Sequence, residues 1–243
     1  MSSKTQLDAL GNRLKTYEQH ETSKKFIPNL PIYVRLDGRG FSKFTKGMAR
    51  PFDERMSNLM IATTSYLVKE LNAVIGYTQS DEISLIFNNE YESPTIFDGK
   101  IQKIISTLSA LASSFFVYNF SSYFFEDIAQ YSNRLPTFDA RAFNIPNIDE
   151  AVNCIYWRYL DCNKNAVSMA AHHYFSHKSL HKQNVSKMKD RLLVEQNIIF
   201  DKYPSFFKDG TFVKNQSYTK VVNDQSVLRH KVDVKPLTKS FNL

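Results

Sequence analysis

Two acidic marks, Asp37-Gly38 and Ser80-Asp81-Glu82, close the best-patterned strands of this 243-residue chain, and they constrain its fold more than any other feature. Ile32, Val34 and Leu36 alternate with Tyr33 and Arg35, the period of a strand with one buried face, and the run stops at the Asp37-Gly38 turn. After Pro51, Asp53 and Glu54 place negative charge where a helix begins, and Met56, Leu59, Met60, Leu67 and Leu71 follow at helical spacing. Val74–Tyr77 and Ile83–Phe87 read as two strands joined by a hairpin connection over 78–81. Ile101, Ile104, Ile105, Leu108, Leu111, Ala112 and Phe115 make the cleanest helical stripe, and Thr137–Phe143 is a fourth strand. Strand, helix, strand, strand, helix, strand is the order of the split βαβ, or ferredoxin-like, α+β arrangement.

The rest of the chain is expected to be helical. Residues 1–25 form a polar helix at the edge, ended by a break between Pro28 and Pro31. Asp149 caps a later helix with Val152, Ile155, Tyr156 and Tyr159 on one face, running toward Phe175. A basic, histidine-bearing segment covers 176–191, and the tail after Pro204 is weakly patterned. With no repeat and no long linker, the expectation is one catalytic domain over 1–243, with its strand-bearing core at about 28–145 and a helical, basic extension at about 146–243.

Composition narrows the function classes. At 42% hydrophobic and 23% charged, the chain is not of the disordered type. Lys and Arg exceed Asp and Glu by 31 to 24, which suits a polyanionic partner or is drift in composition. Cys154 and Cys162 lie two helical turns apart, too far for a disulfide, and there is no Cys-x-x-Cys pair to hold zinc. They read as reduced thiols in a cytoplasmic protein, a mitochondrial one being the other option. The N-terminus is polar and no run of about 18 apolar residues occurs, so no membrane partner is expected.

In this topology the first and third strands are neighbours, which brings Asp37 to the tip carrying Asp81 and Glu82. Two converging carboxylates with oxygen-only ligands suit Mg²⁺ rather than zinc, and a metal pair there can clamp both oxygens of a phosphoryl transfer. Gly38 lets its carbonyl approach such an ion. Either motif alone is also an ordinary turn. The following loop, Gly38-Arg39-Gly40-Phe41-Ser42-Lys43, is not a dinucleotide fingerprint, because Lys43 stands where the third glycine belongs. It is either a triphosphate cradle or a basic surface turn. His173, His177 and His181 recur every four residues and on one helix would form a stripe, for a metal or, with Lys178 and Lys182, for phosphates or solvent.

Longer blocks resemble a known family. Residues 34–41 (Val-Arg-Leu-Asp-Gly-Arg-Gly-Phe), 49–55 (Ala-Arg-Pro-Phe-Asp-Glu-Arg), 77–84 (Tyr-Thr-Gln-Ser-Asp-Glu-Ile-Ser), 138–141 (Phe-Asp-Ala-Arg) and Tyr156-Trp157-Arg158 to Asp161-Cys162 are similar, in order, to the tRNA-histidine guanylyltransferases. The resemblance covers about 25–200. It implies a ferredoxin-like polymerase palm, usually in a homotetramer, that adds nucleotides to the 5′ end of tRNA in the 3′–5′ direction. It implies that Asp37, the Gly38 carbonyl and Asp81 bind two Mg²⁺, with Glu82 in support. The triphosphate of ATP, GTP or another NTP would lie against Asp37, Gly38, Arg39, Gly40, Phe41, Ser42, Ser80 and Asp81. Arg50 stands where the family usually has a Lys associated with ATP-dependent 5′ activation. The family's His-Ile-Asn-Asn-Leu-Tyr-Asn block is here Asn163-Lys164-Asn165-Ala166-Val167-Ser168-Met169, in which only Asn165 agrees. That block, with Ser176-His177-Lys178-Ser179-Leu180-His181, is more similar to bacterial-type members associated with templated repair of 5′-truncated tRNA. Lys178, His181, Lys182 and Lys187 are then the expected RNA contacts. Addition of the extra G to histidine tRNA, a nucleotidyl cyclase and a non-catalytic RNA-binding module are the alternatives.

Overall fold

The computed structural model describes residues 3–88, 96–222 and 225–236, with side chains over 7–88, 96–216 and 231–235. Helix α1 (Ser3–Thr22) leads into β1 (Ile32–Arg39), a one-turn α2 (Phe41–Phe44) and α3 (Glu54–Glu70). The hairpin β2 (Ile75–Gln79) and β3 (Glu82–Phe87) follows, then α4 (Ile101–Tyr123), α5 (Ile128–Tyr131) and β4 (Thr137–Asn144). The C-terminal part holds α6 (Ile148–Tyr174), α7 (His177–Leu180), α8 (Val185–Gln196), α9 (Ser205–Lys208), β5 (Thr211–Val222) and β6 (Gln225–Pro236).

The sheet runs β4-β1-β3-β2-β5-β6 with every pair antiparallel. Its first four strands have the ferredoxin-like order. The period of two then sorts side chains between two layers. Ile32, Val34 and Leu36 pair with Phe87, Leu85 and Ile83, and all six are buried with Leu59, Leu67, Leu108 and Phe116 of α3 and α4. The opposite face buries Tyr33, Ile75, Tyr77, Ile86 and Phe212 beneath Ala151 and Ile155 of α6.

The strands run further than their apolar residues do. Strand β1 passes through Asp37 and Gly38 to Arg39, and β2 and β3 extend to Gln79 and Glu82, leaving a two-residue turn, Ser80-Asp81, in place of the expected four. Ladder hydrogen bonds carry the polar end of each strand once the apolar part has set the register. On α6 the inward residues are Ala151, Ile155, Arg158 and Cys162, while Tyr156, expected inside, is 56% exposed. Both cysteines are free.

Helices α6 to α9 lie within 148–208, and the chain then returns to the sheet. Strand β5 pairs with β2, and β6 with β5, so the residues after Pro204 add two strands. Helix α4 is long and apolar enough, by length and composition, to cross a membrane. Here its Ile104, Leu108, Ala112, Phe116 and Phe120 stripe is buried in the core, and Gln102, Lys103, Ser106 and Ser114 are on its exposed side.

Candidate active site

Antiparallel register puts directly opposed residues on one face. Asp37 is opposite Glu82 on one side and Asp139 on the other, and Glu82 is opposite Gln79. One lateral row on the α6 face therefore reads Asp139, Asp37, Glu82, Gln79. The next row on that face holds Arg141, Arg35 and Ser84. A line of carboxylates thus sits against a line of guanidiniums, with Asp81 projecting from the turn beside it.

The acidic groups are treated differently. Glu82 is 6% exposed and takes a fork from α6: Arg158 Nε donates to Oε1 at 2.5 Å and Nη2 to Oε2 at 2.7 Å. Arg158 Nη2 also donates to Asp161 Oδ2 at 3.0 Å, and Asn165 Nδ2 donates to the same oxygen at 3.1 Å. Burial raises the Glu82 carboxyl pKa, while the Arg158 fork and Arg35, 4.0 Å away, act against that rise. Asp81 has no cation beside it among the described residues. Burial, and then the Asp37 carboxylate, push its pKa above the ordinary carboxylate range. Asp37 faces Arg141, whose Nη1 lies 3.8 Å from Oδ2 while Nη2 stands 3.5 Å from Asp139.

Gly38 is required by close approach. Its amide donates to the Asp81 carbonyl at 3.0 Å, and a Cβ there would stand 2.5 Å from the Phe41 ring and 2.9 Å from the Asp81 Cβ. Gly40 takes φ 69°, the left-handed region, to turn the chain into α2. Ser80 reaches φ 50° without being glycine, a strained position at the hairpin tip.

Three adjoining cavities open here. A carboxylate cavity of about 380 Å³ is lined by Asp37, Ser80, Asp81, Glu82, Asn165 and Ser168, among others. A more apolar one of about 340 Å³ lies between Met48, Phe52, Met56, Ala166 and Phe207, with Ser42, Arg50, Asp53 and Gln79 at its polar points. Asp53 is the N-cap of α3, accepting from the Arg55 amide at 3.0 Å and the Ala49 amide at 3.1 Å. Burial opposes its charge, but the Arg55 side chain and these amides hold its pKa below the usual range. The third cavity, about 380 Å³, is lined by Arg50, Pro51, Ser168, Met169, His172, His173 and His177.

The structure brings Asp37, Asp81, Ser80, Glu82 and Asn165 together at the carboxylate cavity, with Ser42 and Arg50 on its apolar neighbour. Arg39 and Gly40 are exposed and line none of the three. Phe41 is a core residue, its ring 5.1 Å from Phe138 and 5.5 Å from Phe116, so it anchors the loop and reaches only the floor of the apolar cavity. The histidine stripe is broken. Helix α6 ends at Tyr174, so His173, His177 and His181 share no helix, and among the described residues no group of three metal-binding side chains is arranged to hold an ion. Lys178, His181, Lys182 and Lys187 are exposed on the segment leading away from the third cavity. Arg191 is taken up by Glu195 at 2.5 Å, with its guanidinium over Phe175.

Arg158, Asp161 and Gln79 do not stand out in the sequence by their chemistry. The signal lies in α6, where Arg158 interrupts an apolar face of Ala151, Ile155 and Cys162 and therefore demands a buried partner. Asp139 and Arg141 carry a similar signal as the polar alternates of β4.

Comparisons with known proteins identify relatives of this chain in sequence and in fold. The sequence pattern of the family described as tRNAHis guanylyltransferase matches residues 11–146. The tRNA(His) guanylyltransferase of Neurospora crassa is 34% identical over 63% of this chain, which spans about half (52%) of that protein's length. A bacterial tRNA(His) guanylyltransferase-like protein solved in complex with ATP superposes with a TM-score of 0.77 at 32% identity, covering 90% of this chain and 91% of that one. A structure of such a bacterial protein in complex with GTP gives 0.73 at 30%, covering 95% and 92%.

Proposed function

Because this chain belongs to the tRNA-histidine guanylyltransferase family, whose pattern takes in residues 11–146, we propose that it is a 3′–5′ nucleotidyltransferase that rebuilds the 5′ end of truncated tRNA by templated addition. The observation that carries this reading is the convergence of Asp37 and Asp81, without a paired cation on Asp81 among the described residues, on one cavity with Ser80, Asn165 and Ser168.

The residues fit two Mg²⁺ ions by their chemistry. Two carboxylates and the Gly38 carbonyl are hard oxygen donors, no thiol or imidazole of the described residues lines that cavity, and the raised Asp81 pKa marks a site that gains from a cation. When bound, such ions neutralise charge building on the attacking and departing oxygens. Asp37 and Asp81 would hold the ions, their carboxylates being the donors that line this cavity. Arg158 fixes Glu82 beneath them, so the floor of the site does not add an unpaired negative charge. The apolar cavity takes a nucleobase between Met48, Phe52 and Met56, with Asp53 and Gln79 as polar contacts.

In the first proposed step an oxygen of the RNA 5′-monophosphate attacks the α-phosphorus of ATP, and pyrophosphate leaves. In the second, the 3′-hydroxyl of the incoming NTP attacks the activated 5′ phosphorus, its proton passes to solvent, and AMP leaves. Templating is favoured by the block at 163–169. Asn163 turns from the cavities to donate to the Lys208 carbonyl at 3.4 Å, and Ser168, where the family has Tyr, leaves a short wall. A site with few side chains to read a base relies on pairing for its choice. The enzyme is further proposed to be a homotetramer in solution.

Sequencing of 5′ ends after incubation with 5′-truncated tRNA, ATP and each NTP tests this. Whichever nucleotide pairs with the opposite strand should be added, including A, C and U. Equal or better addition of G opposite A would place the chain with the enzymes that add the extra G to histidine tRNA.

A further inference from the structure

The third cavity is unlike its two neighbours. It holds Arg50, His172, His173 and His177 as its charged and titratable groups, with Ser168 as a neutral donor and no carboxylate among the described residues. Arg50 comes from the loop before α3, His172 and His173 from the last turn of α6, and His177 from α7, so three separate segments bring nitrogen donors to one space. It adjoins the carboxylate cavity through Ser168 and Met169, and the apolar cavity through Arg50 and Pro51.

From this arrangement we infer that the third cavity is a separate site for the terminal phosphate of the RNA 5′ end, held by Arg50, His172 and His177 beside the carboxylate pair. The inference rests on the function proposed above. Its volume of about 380 Å³ accommodates a phosphomonoester with its ribose. An arginine fork with imidazole N–H donors matches the acceptor oxygens of a phosphate. A metal is a poorer occupant, because the described histidines are not arranged to chelate one.

The site has a built-in proton linkage. The His172 and His177 rings stand 4.2 Å apart, and burial, then His177, depress the His172 pKa. Without ligand His172 resists protonation; a phosphate beside it and Arg50 reverses that penalty. Binding therefore takes up a proton, and affinity for a 5′-phosphate rises as pH falls from 8 toward 6.5, where a phosphomonoester (second pKa about 6) is still largely dianionic.

The test compares one short RNA duplex with a 5′-monophosphate or a 5′-hydroxyl end, binding each to the full-length protein by fluorescence anisotropy at pH 6.5 and 8. The native protein should prefer the phosphorylated end by about tenfold at pH 6.5, the scale of one charge-assisted hydrogen bond, and by less at pH 8. His172→Asn with His177→Asn should abolish the preference while leaving the 5′-hydroxyl duplex bound as before. Arg50→Ala should reduce it even if the double variant folds poorly. Equal affinity of the native protein for both ends, or a preference that survives in both variants, overturns the inference. Templated addition that persists without any end preference sinks the pocket and leaves the proposed function standing; end preference without any nucleotide addition does the reverse.

Discussion

The two faces of the sheet are made by the same strands and follow opposite rules. On the α3–α4 face, β1 and β3 contribute Ile32, Val34, Leu36, Ile83, Leu85 and Phe87, apolar from end to end and almost completely excluded from water. On the α6 face the same strands grade from Tyr33 and Ile86, through Arg35 and Ser84, to Asp37 and Glu82. The first face holds the fold together, and the second uses that rigidity to hold charges where water would otherwise separate them. Within the second face the contrast repeats at adjacent residues: Glu82 is satisfied by Arg158, and Asp81 is left against Asp37.

Substitutions that separate the faces have the largest expected effects. Asp37→Asn should lower the rate of nucleotide addition by at least ~10³ with little change in melting temperature, because a partly exposed carboxylate that stabilises charge in the transition state does little for packing. Leu85→Ala on the other face should behave oppositely, costing about 2–5 kcal/mol of stability while the protein that remains folded turns over normally. Urea unfolding and single-turnover assays on both variants measure the contrast, and a large rate loss in folded Leu85→Ala would show that the faces are not separable.

Between them stands the ion pair. Arg158→Met should destabilise the protein by about 3–5 kcal/mol, since it strands a buried carboxylate, and Glu82→Gln added to it should recover much of the loss. Equal melting temperatures for the single and double variants would mean that the Glu82 charge is not what Arg158 serves. A smaller effect is expected on RNA binding. Replacing Lys178, Lys182 and Lys187 by Ala should flatten the dependence of log Kd on log salt by about 0.9 for every duplex phosphate that these side chains neutralise in the native complex. An unchanged slope would make those side chains simple solvated charges.

What the sequence disclosed divides along the same line. The apolar alternation of β1 and β3 and the stripe of α4 are legible because burial leaves a period, and the placement of Asp37 near Asp81 follows from topology. The end of the chain is less so. Strands β5 and β6 alternate weakly, Thr-Phe-Val-Lys-Asn-Gln over 211–216, because much of the hairpin pairs beyond the covered sheet and needs no continuous apolar face. The histidine stripe fails because a spacing of four implies one face only while the helix lasts, and α6 stops at Tyr174. Arg158 stands within the family blocks, but its partner is hidden from any local pattern, since the carboxylate it binds is 76 residues away in sequence.

The proposed catalytic centre depends most heavily on Asp81 having no cation beside it among the described residues, which leaves it open to receive one. Its raised pKa means that ionisation costs folding stability: the protein is favoured by this group below the ordinary carboxylate pKa, and the benefit fades as pH rises through the shifted value. At pH 7.5 without divalent ions, Asp81→Asn should therefore melt higher than the native protein. Added Mg²⁺ should raise the melting temperature of the native protein and leave that of Asp81→Asn nearly unmoved. A variant that melts lower without Mg²⁺, and that Mg²⁺ stabilises as much as the native protein, would contradict the assignment of this carboxylate pair as the catalytic centre.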